Sequence, residues 1–190
     1  MHTPHNNAFS RLALFALLAA TTLFSACKKD NDKDDPTPDD DNEQITTVTY
    51  TLTPVSGGTP VSVTYKDPDG DGGAAPTIGS LTLAANTTYT GVLTLLDETK
   101  TPAVNTSAEI QQEADEHIFF FEPTPTNLVT VTRTDKDKNN LEVGLQTRLV
   151  TTAAASGTLK ITLRHQPGVK NGSFAPGDTD VEVTFPTSVR

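Results

Sequence analysis

Residues 159–165 read Leu159-Lys160-Ile161-Thr162-Leu163-Arg164-His165, and residues 180–185 read Asp180-Val181-Glu182-Val183-Thr184-Phe185. Apolar and polar side chains alternate one for one in both. Successive side chains of an extended chain point to opposite faces, so this period of two predicts strands with one dry and one wet face. A helix would set its apolar residues three and four apart instead.

The same alternation recurs in Val48, Tyr50 and Leu52 between threonines, in Val61, Val63 and Tyr65, and in Leu141, Val143 and Leu145. Further strands are expected near 79–83, 89–97, 117–122 and 127–134, about nine in all. Gly, Pro, Asp and Asn gather between them at 54–60, 67–76, 123–125, 135–140 and 167–177. Short half-polar strands joined by such turns predict an all-β domain over 45–190, an antiparallel β-sandwich, Ig-like or related. Ile118 to Phe121 is apolar on both faces, which suits a central strand or one crossing under a loop. One short surface helix is expected from Thr106 to about His117, capped by Thr106 or Ser107, with Glu109 in its first turn. Its few apolar residues, Ala108, Ile110 and Ala114, place it on the surface.

Residues 1–26 read differently. Arg11 is followed by an apolar run from Leu12 to Phe24, broken only by Thr21 and Thr22. A membrane span needs ~20 apolar residues, so the run suits the core of a secretory signal peptide. It ends in Leu23-Phe24-Ser25-Ala26-Cys27, which resembles the lipobox of bacterial lipoproteins. The resemblance implies cleavage before Cys27 and lipid on its thiol and new amino group. Several acyl chains make a stable anchor, at ~0.8 kcal/mol for each buried CH₂. Cys27 is the only cysteine of the 190 residues, so a lipidated Cys27 leaves no thiol for a disulfide or a zinc–thiolate site. The domain must then rest on its hydrophobic core.

Residues 27–44 continue as an acidic tether. Lys28 to Gln44 holds eight acids and three lysines, and no apolar aliphatic or aromatic residue. Such a segment buries nothing to offset the entropy of ordering and is expected to be disordered. The whole chain carries a formal charge of −10. Nucleic acid is therefore not an expected partner, and the membrane is reached through lipid. The run Cys27-Lys28-Lys29-Asp30-Asn31-Asp32 resembles the acidic export signal of surface lipoproteins in Bacteroidota. It implies an outer-membrane protein displayed on the cell surface, the alternative being a domain that faces the periplasm.

Three constellations carry chemistry. Asp67-Pro68-Asp69-Gly70-Asp71-Gly72-Gly73 matches the start of a calcium loop, whose alternating carboxylates converge on a hard cation. Position twelve is Ile78 rather than an acid, so the loop is not an EF-hand, and an acidic hairpin turn is the plain alternative. The second is Glu113 with His117. On a helix reaching residue 117 they share a face with Glu109 and could share a metal. If the chain turns to strand at 116, His117 falls in phase with Phe119 and Phe121 and bonds to the backbone instead. The third is His165, in phase with Leu159, Ile161 and Leu163 and so pointing inward at a strand end, with Asp178 and Asp180 nearby. Against catalysis, no G-x-S-x-G, H-E-x-x-H or G-x-x-x-x-G-K occurs.

The strings Asp67–Gly73, Glu113–His117, Leu163–Pro167 and Gly177–Phe185 resemble a family of Bacteroidota lipoproteins without an established function. The resemblance covers essentially all of 45–186 and implies an envelope compartment. Members are sometimes labelled with a type 1 periplasmic-binding fold, which implies two α/β lobes, whereas the alternation here implies consecutive antiparallel strands. The expected function is a non-catalytic, membrane-anchored lipoprotein displaying a binding or structural module toward an extracellular or periplasmic ligand. A metal-binding envelope protein, with Ca²⁺ or a transition metal, is the alternative. A hydrolase of surface polymers is a third class.

Overall fold

The computed structural model describes residues 43–70 and 73–190. The expectations for the signal peptide, for Cys27, for the tether up to residue 42 and for Asp71 fall outside these residues.

The order along the chain is β1 (Thr47–Pro54), β2 (Val61–Lys66), β3 (Thr77–Ile78), β4 (Leu81–Leu83), β5 (Thr88–Leu96), α1 (Thr106–Gln112), β6 (His117–Thr124), β7 (Val129–Arg133), β8 (Gln146–Thr151), β9 (Ala155–His165) and β10 (Asp178–Val189). The strands form a six-stranded sheet, β3-β2-β1-β5-β8-β7, and a four-stranded sheet, β4-β10-β9-β6. Pairing is antiparallel except for β4 with β10. The two sheets share one core, so the domain is the all-β sandwich that the alternation predicts.

Period two decides which residues meet. Tyr50, Leu52, Tyr89, Leu93, Leu95 and Leu149 come from the larger sheet, and Phe119, Leu159, Ile161, Leu163, Val183 and Phe185 from the smaller; all are essentially sealed from solvent. Each such side chain stabilises the fold by about 1.5–3 kcal/mol relative to exposure.

Two elements depart from expectation. The strand predicted over Leu141, Val143 and Leu145 is irregular, and β8 begins only at Gln146. Val143 and Leu145 are buried as their pattern implies. Gly144 breaks the extended run at a φ of 102°, and its N–H donates to the Asp135 carboxylate at 2.8 Å. A side chain on Gly144 would meet Phe119 Cβ at 2.9 Å and the Arg133 stem at 3.0 Å.

The helix is also shorter than predicted. It stops at Gln112 with Glu113 as C-cap, and neither Thr106 nor Ser107 caps it. Ser107 Oγ instead accepts the Leu95 N–H at 2.6 Å and pins the helix to β5. Thr106 and Ile110 are buried while Ala108, Glu109, Gln111 and Gln112 are exposed, so α1 is the surface helix expected, with one face set on the core. The chain then turns, and His117 opens β6 in phase with Phe119, the second of the two alternatives for that segment. β6 is an edge strand of its sheet, and its outward Phe120 packs edge-on against Phe174 of the β9–β10 loop, with centroids 5.1 Å apart.

Candidate functional site

β6, β9 and β10 lie side by side, and one end of this triplet carries His117 opposite His165 and His165 opposite Asp178. Directly opposed residues on paired strands hold their Cβ atoms about 5 Å apart. The two imidazoles accordingly stack, with centroids 4.6 Å apart and planes within 4°. His117 is 0% and His165 6% exposed.

A β-bulge completes the group. Thr179 pairs with Arg164 and Val181 with Leu163, so Asp180 has no register partner. With Val183 and Phe185 facing inward, strict alternation would send Asp180 outward beside Glu182. Glu182 does face out and accepts from Lys160 at 3.3 Å. The extra residue re-aims Asp180, which is what bulges do beside functional sites. Its Oδ2 lies 3.7 Å from His117 Nε2, and the Glu43 Oε1 atom lies 3.4 Å from the same nitrogen.

The ring of His117 is oriented from behind. Its Nδ1 stands 3.1 Å from the Glu113 carbonyl oxygen. A carbonyl only accepts, so Nδ1 carries the hydrogen, and in the neutral ring Nε2 presents its lone pair. That nitrogen makes no hydrogen bond of good geometry among the described residues, and the Glu43 and Asp180 carboxylates that face it favour its protonated form. His165 Nε2 lies 3.7 Å from Glu116 Oε2.

Asp180 is under strain of an electrostatic kind. Its side chain is 0% exposed, and its carboxylate oxygens make no hydrogen bond of good geometry among the described residues; its polar neighbours are the His117 ring and the Glu43 backbone N–H. Burial pushes the carboxyl up to about 7, with His117 opposing the rise and the neighbouring Glu43 adding to it. Burial alone would push the His117 ring down, but the Glu43 carboxylate, the Glu113 carbonyl and Asp180 outweigh it and raise its pKa.

A cavity of about 570 Å³ opens beside this group, lined by Glu43, Ile45, Tyr65, Asp67, Asp180 and Glu182 among others. Glu43 and Asp180 both line the cavity and approach His117, so they link it to that ring. Its acid-rich wall favours a positively charged occupant.

The residues singled out in the sequence fall as follows. His117, His165 and Asp180 each offer one donor atom within 4.8 Å of the others, and so do Glu43, Glu113 and His117. Asp67 is buried and reaches the cavity wall, accepting the Tyr65 hydroxyl at 3.1 Å through Oδ2, while Oδ1 has no hydrogen-bond partner among the described residues. Asp69 turns away and accepts the Ala74 N–H at 2.7 Å. These two aspartates therefore serve separate partners. Glu43 was hidden in the sequence because it closes an acidic run with no pattern of its own. Asp180 could be placed near His165 from strand order, but its inward turn depends on the bulge. No family model, curated protein or solved structure matches this chain, so the donor set itself carries the functional reading.

Proposed function

We propose that this chain is a non-catalytic, lipid-anchored protein of the bacterial envelope whose β-sandwich binds a cationic ligand at the end formed by His117, His165 and Asp180. The observation that carries the reading is Asp180. A carboxyl out of water that has only a loose contact with the His117 ring at 3.7 Å and no hydrogen bond of good geometry is costly to keep charged, and a closer cation would relieve that cost. This carboxyl lies at the wall of an acid-rich cavity.

The anchor rests on the lipobox-like Leu23–Cys27, and surface display on the acidic run after Cys27. The resemblance to Bacteroidota lipoproteins supports the same compartment, with a periplasm-facing domain as the alternative. The binding test is a thermal-shift series on the full-length chain in detergent after chelator treatment. Divalent metal ions form one arm, and spermidine and arginine amide the other. A rise in melting temperature that Asp180→Asn removes supports the reading. No rise with any cation, or the same rise in Asp180→Asn, overturns it.

A further inference from the structure

We infer that the bound cation is a divalent transition-metal ion of the zinc class, ligated by His117, His165 and Asp180, with Glu43 supplying a carboxylate at the cavity side. The inference rests on the cation-binding reading and names its ligand.

Donor chemistry selects this class. Two imidazoles and one or two carboxylates suit zinc and its neighbours in the first transition row. Calcium would require six to eight oxygens, which this set does not supply. An organic ammonium in the cavity would reach Asp180 and Glu43, but neither histidine ring lines that space. Only a small ion drawn inward past the two carboxylates uses the ring nitrogens.

Geometry agrees on two counts and requires one adjustment. The three donor atoms already lie within 4.8 Å of one another. Zinc holds its ligands at ~2.0–2.1 Å, which places tetrahedral donors about 3.4 Å apart, so the set closes by about an ångström or a little more through side-chain rotation. The rings come from directly opposed positions on paired strands and stack with planes within 4°, so their lone pairs run nearly parallel and one ring must swing to bring both nitrogens onto one ion. Metal-ligating histidines characteristically donate their other ring N–H to a carbonyl or carboxylate, and His117 has that arrangement with the Glu113 carbonyl.

The unpaired atoms agree as well. His117 Nε2 and both Asp180 oxygens are buried and make no hydrogen bond of good geometry among the described residues. One cation between them satisfies the ring nitrogen and the carboxylate together. The bulge that turns Asp180 inward then has a purpose: it delivers the anionic ligand to a face that alternation would have left without one.

The test is isothermal titration of the full-length, chelator-treated chain with zinc chloride, alongside cobalt(II) absorption spectra. The expected result is one zinc per chain and visible cobalt bands of a four- or five-coordinate site. His165→Gln and Asp180→Asn should each weaken zinc by about a hundredfold and bleach the bands, and Glu43→Gln by about tenfold. Circular dichroism and melting in chelator check that each variant folds. Because Glu43 lies at the cavity side, its variant keeps the test decisive if the deeper ones unfold. Zinc retained equally by all three variants would assign it elsewhere in the chain and overturn the inference. A calcium shift lost in Asp69→Ala but kept in His165→Gln, with no zinc bound, would also overturn it in favour of the 67–73 loop. Spermidine or arginine amide acting through Asp180 without zinc binding overturns this inference but leaves the cation-binding reading standing. Failure of every cation removes both.

Discussion

Lys170 Nζ stands 2.8 Å from Asp137 Oδ2, and neither side chain is reached by solvent. The ammonium also donates to the Ala114 carbonyl at 2.7 Å. Asp137 Oδ1 accepts the N–H groups of Asn139 and Leu141 at 2.8 and 2.9 Å. One buried ion pair thus ties the β9–β10 loop, the β7–β8 connection and the turn after α1 together. The turn after α1 carries Glu113 and Glu116, whose carbonyl and carboxylate approach the two histidines. Removing one member of a buried pair leaves the other charge uncompensated, at about 3–5 kcal/mol. Lys170→Met should therefore lower the unfolding free energy in urea by about 3 kcal/mol with an unchanged m value. A loss under 1 kcal/mol would show that the pair is not buried in solution.

Asp137 also sets an acid limit. Burial pushes its carboxyl up, but Lys170 and the Leu141 and Asn139 N–H groups outweigh this and hold it below the usual carboxylate range. A carboxyl depressed in the folded state adds stability above its unfolded pKa of ~3.9, and that stability drains as pH falls through the folded value. Acid unfolding monitored by circular dichroism should then begin below about pH 4. In Lys170→Met its midpoint should move to higher pH.

The metal-free centre predicts the opposite slope at higher pH. Asp180 is raised to about 7 and His117 is raised above its ordinary value. In each case the folded state holds its proton more tightly than the unfolded one. Stability from these groups is present in acid and is lost as pH rises through the folded values. In chelator, the melting temperature should fall by several degrees between pH 5 and pH 8. Asp180→Asn should flatten that fall. A rise with pH in the wild-type protein would show that both groups are misassigned.

Gly91 is a packing prediction. It lies in β5 between Leu52 of β1 and Thr147 of β8. The Tyr50 and Thr147 hydroxyls share a buried hydrogen bond of 2.7 Å directly over it. A Cβ at residue 91 would collide with Thr147 Oγ1 and come within 2.7 Å of Tyr50 Oη. Gly91→Ala should cost about 2 kcal/mol or more through forced shifts in the core. Thr147→Val should cost about 1–3 kcal/mol by stranding the tyrosine hydroxyl. Urea melts of both variants check this, and stabilities unchanged from wild type would contradict the close packing.

The anchor is tested in cells. Cys27→Ser should leave the protein unlipidated and shift it from the detergent phase to the aqueous phase. Protease added to intact cells should remove the domain of the wild-type chain. Cleavage only after permeabilisation would place it facing the periplasm. Detergent partitioning of Cys27→Ser unchanged from wild type would refute the lipid assignment.

The strands with purely apolar inner faces were legible one residue at a time: Leu159, Ile161 and Leu163 alternate in sequence and are buried in the structure. β8 was not, because two of its inward residues are Thr147 and Thr151. Thr151 is buried through hydrogen bonds to the Ala84 and Thr87 carbonyls at 2.7 and 3.1 Å, which no hydrophobic pattern reports. The site divides in the same way. His117 and His165 could be singled out as inward or metal-competent positions. Their stacking could not, because it depends on the cross-strand register of β6 with β9. Asp180 needed the bulge, and Glu43 needed the path of the chain into β1.

The place of β10 in its sheet has a consequence for the order of events. β10 is the last of the described strands in sequence order, yet it lies between β4 and β9 rather than at an edge. Until residues 178–189 arrive, β4 and β9 have no common neighbour and the smaller sheet exists only as β9 with β6. A chain delivered amino-terminus first, as an exported one would be, therefore emerges with the edge of β9 bare and sticky. The assembled domain, and any ion it holds, can form only once residues 178–189 are through.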